Sequence, residues 1–163
     1  MRNPDIIQQK IYTLPDLLRL VAGWKTLGKT IAFTNGCFDI LHEGHIFSLS
    51  QAAKEGDRLI VGVNSDASTR QLKGPERPIN NEHSRSLLLA SLVITDVVII
   101  FNEETPRELI TAIMPDVIVK GGDYTADQVA GGKEVIANGG RVVINPIIPG
   151  FSTTGILEKI KKL

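Results

Sequence analysis

The chain has 163 residues, 42% of them hydrophobic and 22% charged, an ordinary balance for one globular domain that builds its own core. Eighteen basic residues offset eighteen acidic ones, so no global field draws the chain to nucleic acid or to an anionic membrane. The single cysteine, Cys37, excludes an internal disulfide framework and fits a reducing compartment; with no apolar stretch in the opening MRNPDIIQQK, a cytoplasmic protein without membrane contact is expected.

After a short polar start, TLPDLLRLVAGWKTL reads as a helix over 14–27. Thr13 is placed to cap it, with Asp16 three residues on, and Leu14, Leu17, Leu18, Val21 and Trp24 recur at helical spacing. That stripe makes Trp24 a core residue and not a ligand platform. Residues 23–30, GWKTLGKT, match the phosphate-loop pattern G-x-x-x-x-G-K-[ST]. The pattern works only after a strand and before a helix, where loop amides and the helix N-terminus converge on phosphates. Here the order is reversed, so Gly28 reads as a helix C-cap and Lys29 enters a strand.

Segments 30–35, 58–64, 96–101, 116–121 and 141–146 are short, β-branched and almost continuously apolar, as strands covered on both faces of a parallel sheet are. Helices are expected near 44–56, 82–93, 105–114 and 132–138, with a last one at 152–162. The alternation predicts a Rossmann-like α/β fold, a doubly wound parallel sheet of about five strands. One domain over 1–163 is expected, with residues 1–28 as a helical extension packed on it. Right-handed crossovers place the ligand crevice at the carboxyl ends of the strands. The polar stretch 66–85, DASTRQLKGPERPINNEHSR, reads as one long loop, mildly basic through Lys73, Arg77 and Arg85, and either solvated or turned to a ligand.

The stretch TNGCFDILHEGH, Thr34–His45, sets two histidines three apart just after the first strand. A zincin needs them at i and i+4, and Cys37, Asp39, His42 and His45 match no zinc spacing. Cys37 as a nucleophile is weaker still, since a lone cysteine at a strand end is commonly a small buried residue. Two satisfied, partly buried histidines are the plain alternative. Phosphate binding is the other. A helix starting near Gly44 would present free amides and a partial positive charge, and imidazoles there can donate to phosphate oxygens. Gly44 would let the backbone approach a ligand, Gly36 would let the chain turn, and Thr34 and Asn35 would add polar contacts.

GCFDILHEGH resembles the H-x-G-H signature of the cytidylyltransferase-like nucleotidyltransferases. Together with VNSDAS, LKGPERPIN, PDVIVKGGDYTADQVAGGKEV and FSTTGILEKI, in unbroken order from about residue 8 onward, the chain is similar more narrowly to the D-glycero-β-D-manno-heptose 1-phosphate adenylyltransferase family. That resemblance implies transfer of AMP from ATP to heptose 1-phosphate, giving pyrophosphate and the ADP-heptose used in lipopolysaccharide biosynthesis, with Mg²⁺ riding on the triphosphate. It implies catalytic roles for His42, His45 and Lys73. Nucleotide contacts are implied for Thr34, Asn35, Gly36, Cys37, Phe38 and Gly44. They are implied also for Lys120, Gly121, Gly122 and Asp123 in KGGDY, and for Ser152, Thr153 and Thr154 at the start of the last helix. Substrate contacts are implied for Asp39, Asn64, Asp66, Arg85 and Tyr124, with Arg85 as a third cation and Asp39 orienting the loop or a ribose. The resemblance further implies a homo-oligomer. In many bacteria the family's domain is fused behind a sugar kinase; this chain resembles the free-standing form, with a separate heptose kinase acting upstream.

A phosphate monoester is largely dianionic at neutral pH, its second pKa being about 6, so the nucleophile needs no general base. That accounts for a motif with no Ser-His-Asp set or carboxylate pair. The chain departs from the family in having His83 and Ser84 where Glu-Gln precedes the arginine, with Glu82 one place early. Phe151, where many members carry a smaller residue or cysteine, has no evident chemical consequence. The nearest rival is a glycerol-3-phosphate cytidylyltransferase, which shares H-x-G-H and Ser-Thr-Thr but resembles R-T-E-G where this chain has Ile147, Ile148, Pro149 and Gly150. A non-catalytic nucleotide-binding module is the rival of a different class.

Overall fold

The five apolar runs pair in parallel, as their covered-on-both-sides composition dictates. A computed structural model describes residues 3–122 and 124–163. Its strands are β1 (Ile31–Gly36), β2 (Arg58–Asn64), β3 (Val97–Phe101), β4 (Val117–Gly121) and β5 (Arg141–Asn145), in the order β3-β2-β1-β4-β5. The helices are α1 (Leu14–Thr26), α2 (Glu43–Ala53), α3 (Asp66–Lys73), α4 (Glu82–Ala90), α5 (Arg107–Ile113), α6 (Gly132–Ala137) and α7 (Thr153–Ile160). Alternate strand residues feed opposite cores, as a pleat requires. Ile31, Phe33 and Ile60 pack with Leu17 and Val21 of α1, Ile110 of α5 and Val135 of α6. Ala32, Leu59 and Val61 pack with Leu49 of α2 and Leu89 of α4. Among the described residues no helix is long and apolar enough to cross a membrane.

Helix α1 starts as its sequence predicts, with Thr13 Oγ1 accepting from the Asp16 amide at 3.4 Å. It ends at a left-handed Gly28 (φ +67°), after which the Lys29 amide donates back to Trp24 at 3.0 Å. The phosphate-loop match therefore spans a helix end and the approach to β1. Replacing Lys29 by alanine should leave ATP affinity within about twofold of wild type by calorimetry; a loss of about tenfold or more would restore the discarded motif.

The stretch 66–85 is not one loop. Residues Asp66–Lys73 form α3, capped by Ser65, whose hydroxyl accepts from the Ser68 amide. Its inward face is built from Ser68 and Thr69, both fully buried, with Ser68 Oγ donating to the Glu103 carbonyl at 2.9 Å. Small hydroxyls satisfied by backbone do the packing there, so no apolar periodicity marks the helix. Only 74–81 remains as a connection before Asn81 caps α4. Glu82, one place early relative to the family pattern, accepts from the Asp66 amide at the start of α3 at 2.7 Å.

The chain lays β1, β2 and β3 to one side, then crosses back to place β4 on the other side of β1. A doubly wound sheet binds ligands at such a reversal, beyond the carboxyl ends of the strands. Here β1 and β4 pair only at Ala32–Val117 and Phe33–Ile118. Past those pairs the two strands share no ladder, and the crevice opens between Asn35–Gly36 and Lys120–Gly121.

Candidate active site

Strand β1 ends in Gly36, whose missing Cβ would lie 3.1 Å from the Phe38 ring, and Phe38 itself turns the chain at φ +49°. The turn delivers His42 to the N-cap of α2 in extended conformation (φ −147°), its carbonyl accepting from the His45 amide at 2.9 Å. One helical turn brings His45 over His42, and the rings stack with centroids 3.8 Å apart and planes 23° from parallel. Phe38 meets His45 edge-on at 5.4 Å, while Phe151 lies over the other side of His42 at 6.4 Å. The residue read as chemically neutral thus lies against a site histidine. Gly44 is required by the approach itself: a Cβ there would sit 3.0 Å from that of Phe151 and 3.2 Å from the His42 ring.

Nδ1 of both histidines is buried without a partner, which leaves Nε2 of each as the nitrogen that can meet a ligand. The pair is poorly shaped for zinc. Imidazole lone pairs lie in the ring planes, so an ion about 2 Å from each nitrogen would fall out of plane for two stacked rings. Burial lowers the His42 pKa, and burial followed by the charge of His42 lowers that of His45 to about 4. Both rings are therefore neutral at pH 7. The unfolded chain takes up these protons near pH 6.5 and the folded chain near 4 at His45, so the unfolded state binds more protons in that window. Stability should be flat in this respect above pH 6.5 and fall between 6.5 and 4. Thermal unfolding against pH in the wild type and His45→Gln tests this; an equal acid slope in both would contradict it.

The two rings border a cleft of about 700 Å³ at the carboxyl ends of the strands, a volume suited to a nucleotide. Asn35, Gly36, Cys37, Phe38, Asp39 and Gly44 line it, as do Asn64, Lys73, Lys120, Gly121 and Tyr124. Ser152, Thr153 and Thr154 line it from α7, where Ser152 Oγ accepts from the Gly155 amide at 2.9 Å. Two helix N-termini, those of α2 and α7, thus open on one space and favour an anion there. Lys120 Nζ donates to Asn35 Oδ1 at 3.3 Å and sits 5.7 Å from the Tyr124 ring centroid. Burial pulls the Lys120 pKa below its ordinary value; Cys37 works against that, and the charge of Lys73 adds to it.

Other candidate residues are held by the protein itself. Arg85 is fully buried and reaches no ligand space: it donates to the Asn80 carbonyl (2.9 Å), the Cys37 carbonyl (2.5 Å) and Asp66 Oδ1 (2.8 Å). Asp66 is spent as its partner and does not line the cleft. Asp39, 2% exposed, accepts from Arg77 Nε (2.5 Å) and from the amides of Ile79 (2.8 Å) and Asn80 (2.9 Å), so it orders the 74–81 loop, one of the two roles implied for it. Asn64 lines the floor, but its amide donates to Ser68 Oγ at 3.0 Å. Thr34 is buried within β1, and Gly122 falls outside the lining. Asp123 lies outside the described residues.

Arg77, one of the basic residues of the stretch left open to a ligand, lines the cleft, and Ser48 and residues 104–106 after β3 line it unforeseen. Ser48 is three residues beyond His45 on the same helix face, and residues 104–106 follow a strand's carboxyl end, so spacing and topology both signalled them.

Magnesium asks for a near-octahedral set of oxygens. Asp39 spends its carboxylate on loop donors, and no cluster of three metal-ligating side chains forms among the described residues. Among the described residues no set fits a protein-held ion; a Mg²⁺ riding on a triphosphate would come with the substrate.

The chain is 52% identical over 159 residues to the bifunctional protein HldE of Mesorhizobium japonicum, covering 98% of this chain and 32% of that one. It is 53% identical over 154 residues to HldE of Koribacter versatilis, covering 94% and 32%. The chain thus spans about a third of the length of the curated relatives it matches. Among solved structures, the lipopolysaccharide core biosynthesis protein of Thermoplasma volcanium is 34% identical with a TM-score of 0.61, over 74% of this chain and 98% of that one. The pantoate-β-alanine ligase of Francisella tularensis, solved with β-γ ATP and β-alanine, shares only the fold, at 14% identity and a TM-score of 0.60 over 94% and 78%. The cytidylyltransferase-like family model matches residues 33–159. Because that span runs from within β1 to within α7 and takes in every residue lining the cleft, the chain belongs to the cytidylyltransferase-like family.

Proposed function

We propose that the chain is a nucleotidyltransferase that moves AMP from Mg·ATP to D-glycero-β-D-manno-heptose 1-phosphate in the cytoplasm. A phosphate oxygen of the sugar forms a bond to the α-phosphorus as the bond to the bridging oxygen breaks, and that electron pair leaves with pyrophosphate. No covalent intermediate and no general base are needed, because the nucleophile arrives as an anion. The difficulty is the meeting of two anions, so catalysis rests on positioning and on charge.

The observation that carries the reading is the stacked histidine pair at the α2 N-terminus, in a cleft that the α7 N-terminus also enters. Neutral imidazoles donate through Nε2 to oxygens of the α-phosphate, where negative charge is redistributed in the transition state. Hydroxyls and amides of Ser152–Thr154 hold the outer phosphates, and Lys73 and Lys120 offset charge from the far wall. Support for the heptose acceptor comes from the relatives, one group named HldE and one structure named for lipopolysaccharide core biosynthesis.

The test is incubation of the chain with Mg²⁺, ATP and heptose 1-phosphate, reading pyrophosphate release and product mass, beside CTP with glycerol 3-phosphate. ADP-heptose is expected. CDP-glycerol as the sole product, or ATP binding with no product from any sugar phosphate, would replace the reading with one of its two rivals.

A further inference from the structure

Arginine at a phosphate site is useful for its planar fork of donors, which meets two oxygens at once in a way a lysine ammonium cannot. The sequence offers two arginines around the 74–81 loop, and the fold treats them oppositely. Arg85 is consumed as a buried strut. Arg77 lines the cleft with its side chain 14% exposed, and only its Nε is bonded, to Asp39 Oδ2. Neither Nη1 nor Nη2 has a protein acceptor among the described residues, and neither is sealed from solvent.

Asp39 holds the guanidinium by its side edge, and that choice of atom matters. Amides of Ile79 and Asn80 fix the carboxylate from one direction, and Asn80 Nδ2 donates to the Asp39 carbonyl at 2.6 Å, so the acceptor for Nε cannot wander. Holding Nε leaves the two terminal nitrogens paired and free to point elsewhere. The same cleft receives Lys73 and Lys120, neither of which forms an ion pair among the described residues. Two lysines without a carboxylate partner, gathered beside Arg77, suit a ligand that brings several negative charges.

We propose that Arg77 clamps a substrate phosphate through Nη1 and Nη2, and that Asp39 is the positioning residue that aims the fork. The proposal rests on the adenylyl-transfer reading for its ligands. A phosphate oxygen is the shared chemistry of both substrates, the polyphosphate of ATP and the monoester of the sugar, and the experiment separates them.

The experiment is calorimetric titration of the full chain with Mg·ATP and, separately, with heptose 1-phosphate, for wild type, Arg77→Lys and Arg77→Ala, alongside thermal unfolding. Lysine at 77 keeps the charge that answers Asp39, and so the loop, but lacks the fork. It should weaken one of the two ligands about 10- to 100-fold with little change in unfolding temperature, and the ligand that suffers names the phosphate held. Asp39→Asn, where it folds, should weaken the same ligand. Affinities for both ligands within about twofold of wild type in both Arg77 variants would overturn the clamp, and a fall in unfolding temperature alone would mark Arg77 as a loop latch. Titration needs no turnover: a wild type that binds both ligands, one of them through Arg77, but makes no ADP-heptose would end the adenylyl-transfer reading and uphold the clamp.

Discussion

Replacing His42 or His45 by alanine is expected to lower turnover by about 10²- to 10³-fold, the usual loss when one well-placed donor to a charged transition state is removed. The chain should still fold. Each histidine leaves a buried Nδ1 without a partner, so its removal strands no other polar group and costs only packing at the end of α2. The loss should fall on kcat more than on KM, because charge moves through the α-phosphate most in the transition state. The two rings lean on each other at 3.8 Å, and removing one frees the other from its aim. The double variant should therefore be little worse than either single one. Steady-state kinetics with pyrophosphate detection check this, and turnover near wild type in either single variant would contradict it.

The second large effect is on stability and comes from Arg85→Met. Methionine fills much of the volume but leaves the Cys37 and Asn80 carbonyls unpaired in the interior and takes the cation from Asp66. Orphaned buried acceptors beside a half-broken ion pair cost about 3 kcal/mol. For a domain of this size that is a fall of about 6–12 °C in unfolding temperature. Lysine at 85 should recover only part of it, having one point of charge where three acceptors wait in three directions. Thermal denaturation reads the effect. An Arg85→Met chain as stable as wild type but weak for sugar phosphate would return Arg85 to the ligand site.

The architecture was legible because its signals were of the kind a sequence displays. The β-branched runs 58–64 and 96–101 need cover on both faces, and Thr13 with Asp16 announces a helix start; both emerged within a residue or two. Helix α3 was hidden because its buried face is Ser68 and Thr69, whose hydroxyls are satisfied by backbone and side chain once the fold exists. No periodicity betrays a helix that packs through polar atoms.

At the site, the histidine pair and the Ser152–Thr154 cap could be placed because each sits at a junction of strand and helix that topology sends to one end of the sheet. The arginines could not be told apart. Both Arg77 and Arg85 belong to a basic polar stretch, and composition is silent on which one the fold will bury. The difference lies in acceptors: Arg85 finds two carbonyls and Asp66 from separate segments, while Arg77 finds only Asp39. An acidic residue in a ligand-lining motif looks the same in sequence whether it meets substrate or an arginine, and the fold gives both Asp39 and Asp66 an arginine. Phe151 showed its part only when α7 was seen to lay it over His42.

The most direct measurement is a crystal structure of the chain with Mg²⁺ and a non-reacting ATP analogue. Nε2 of His42 and of His45 should lie within hydrogen-bond distance of α-phosphate oxygens, with the outer phosphates at the Ser152–Thr154 end of α7. A triphosphate bound away from the two rings, or the rings closed around a metal ion, would contradict this.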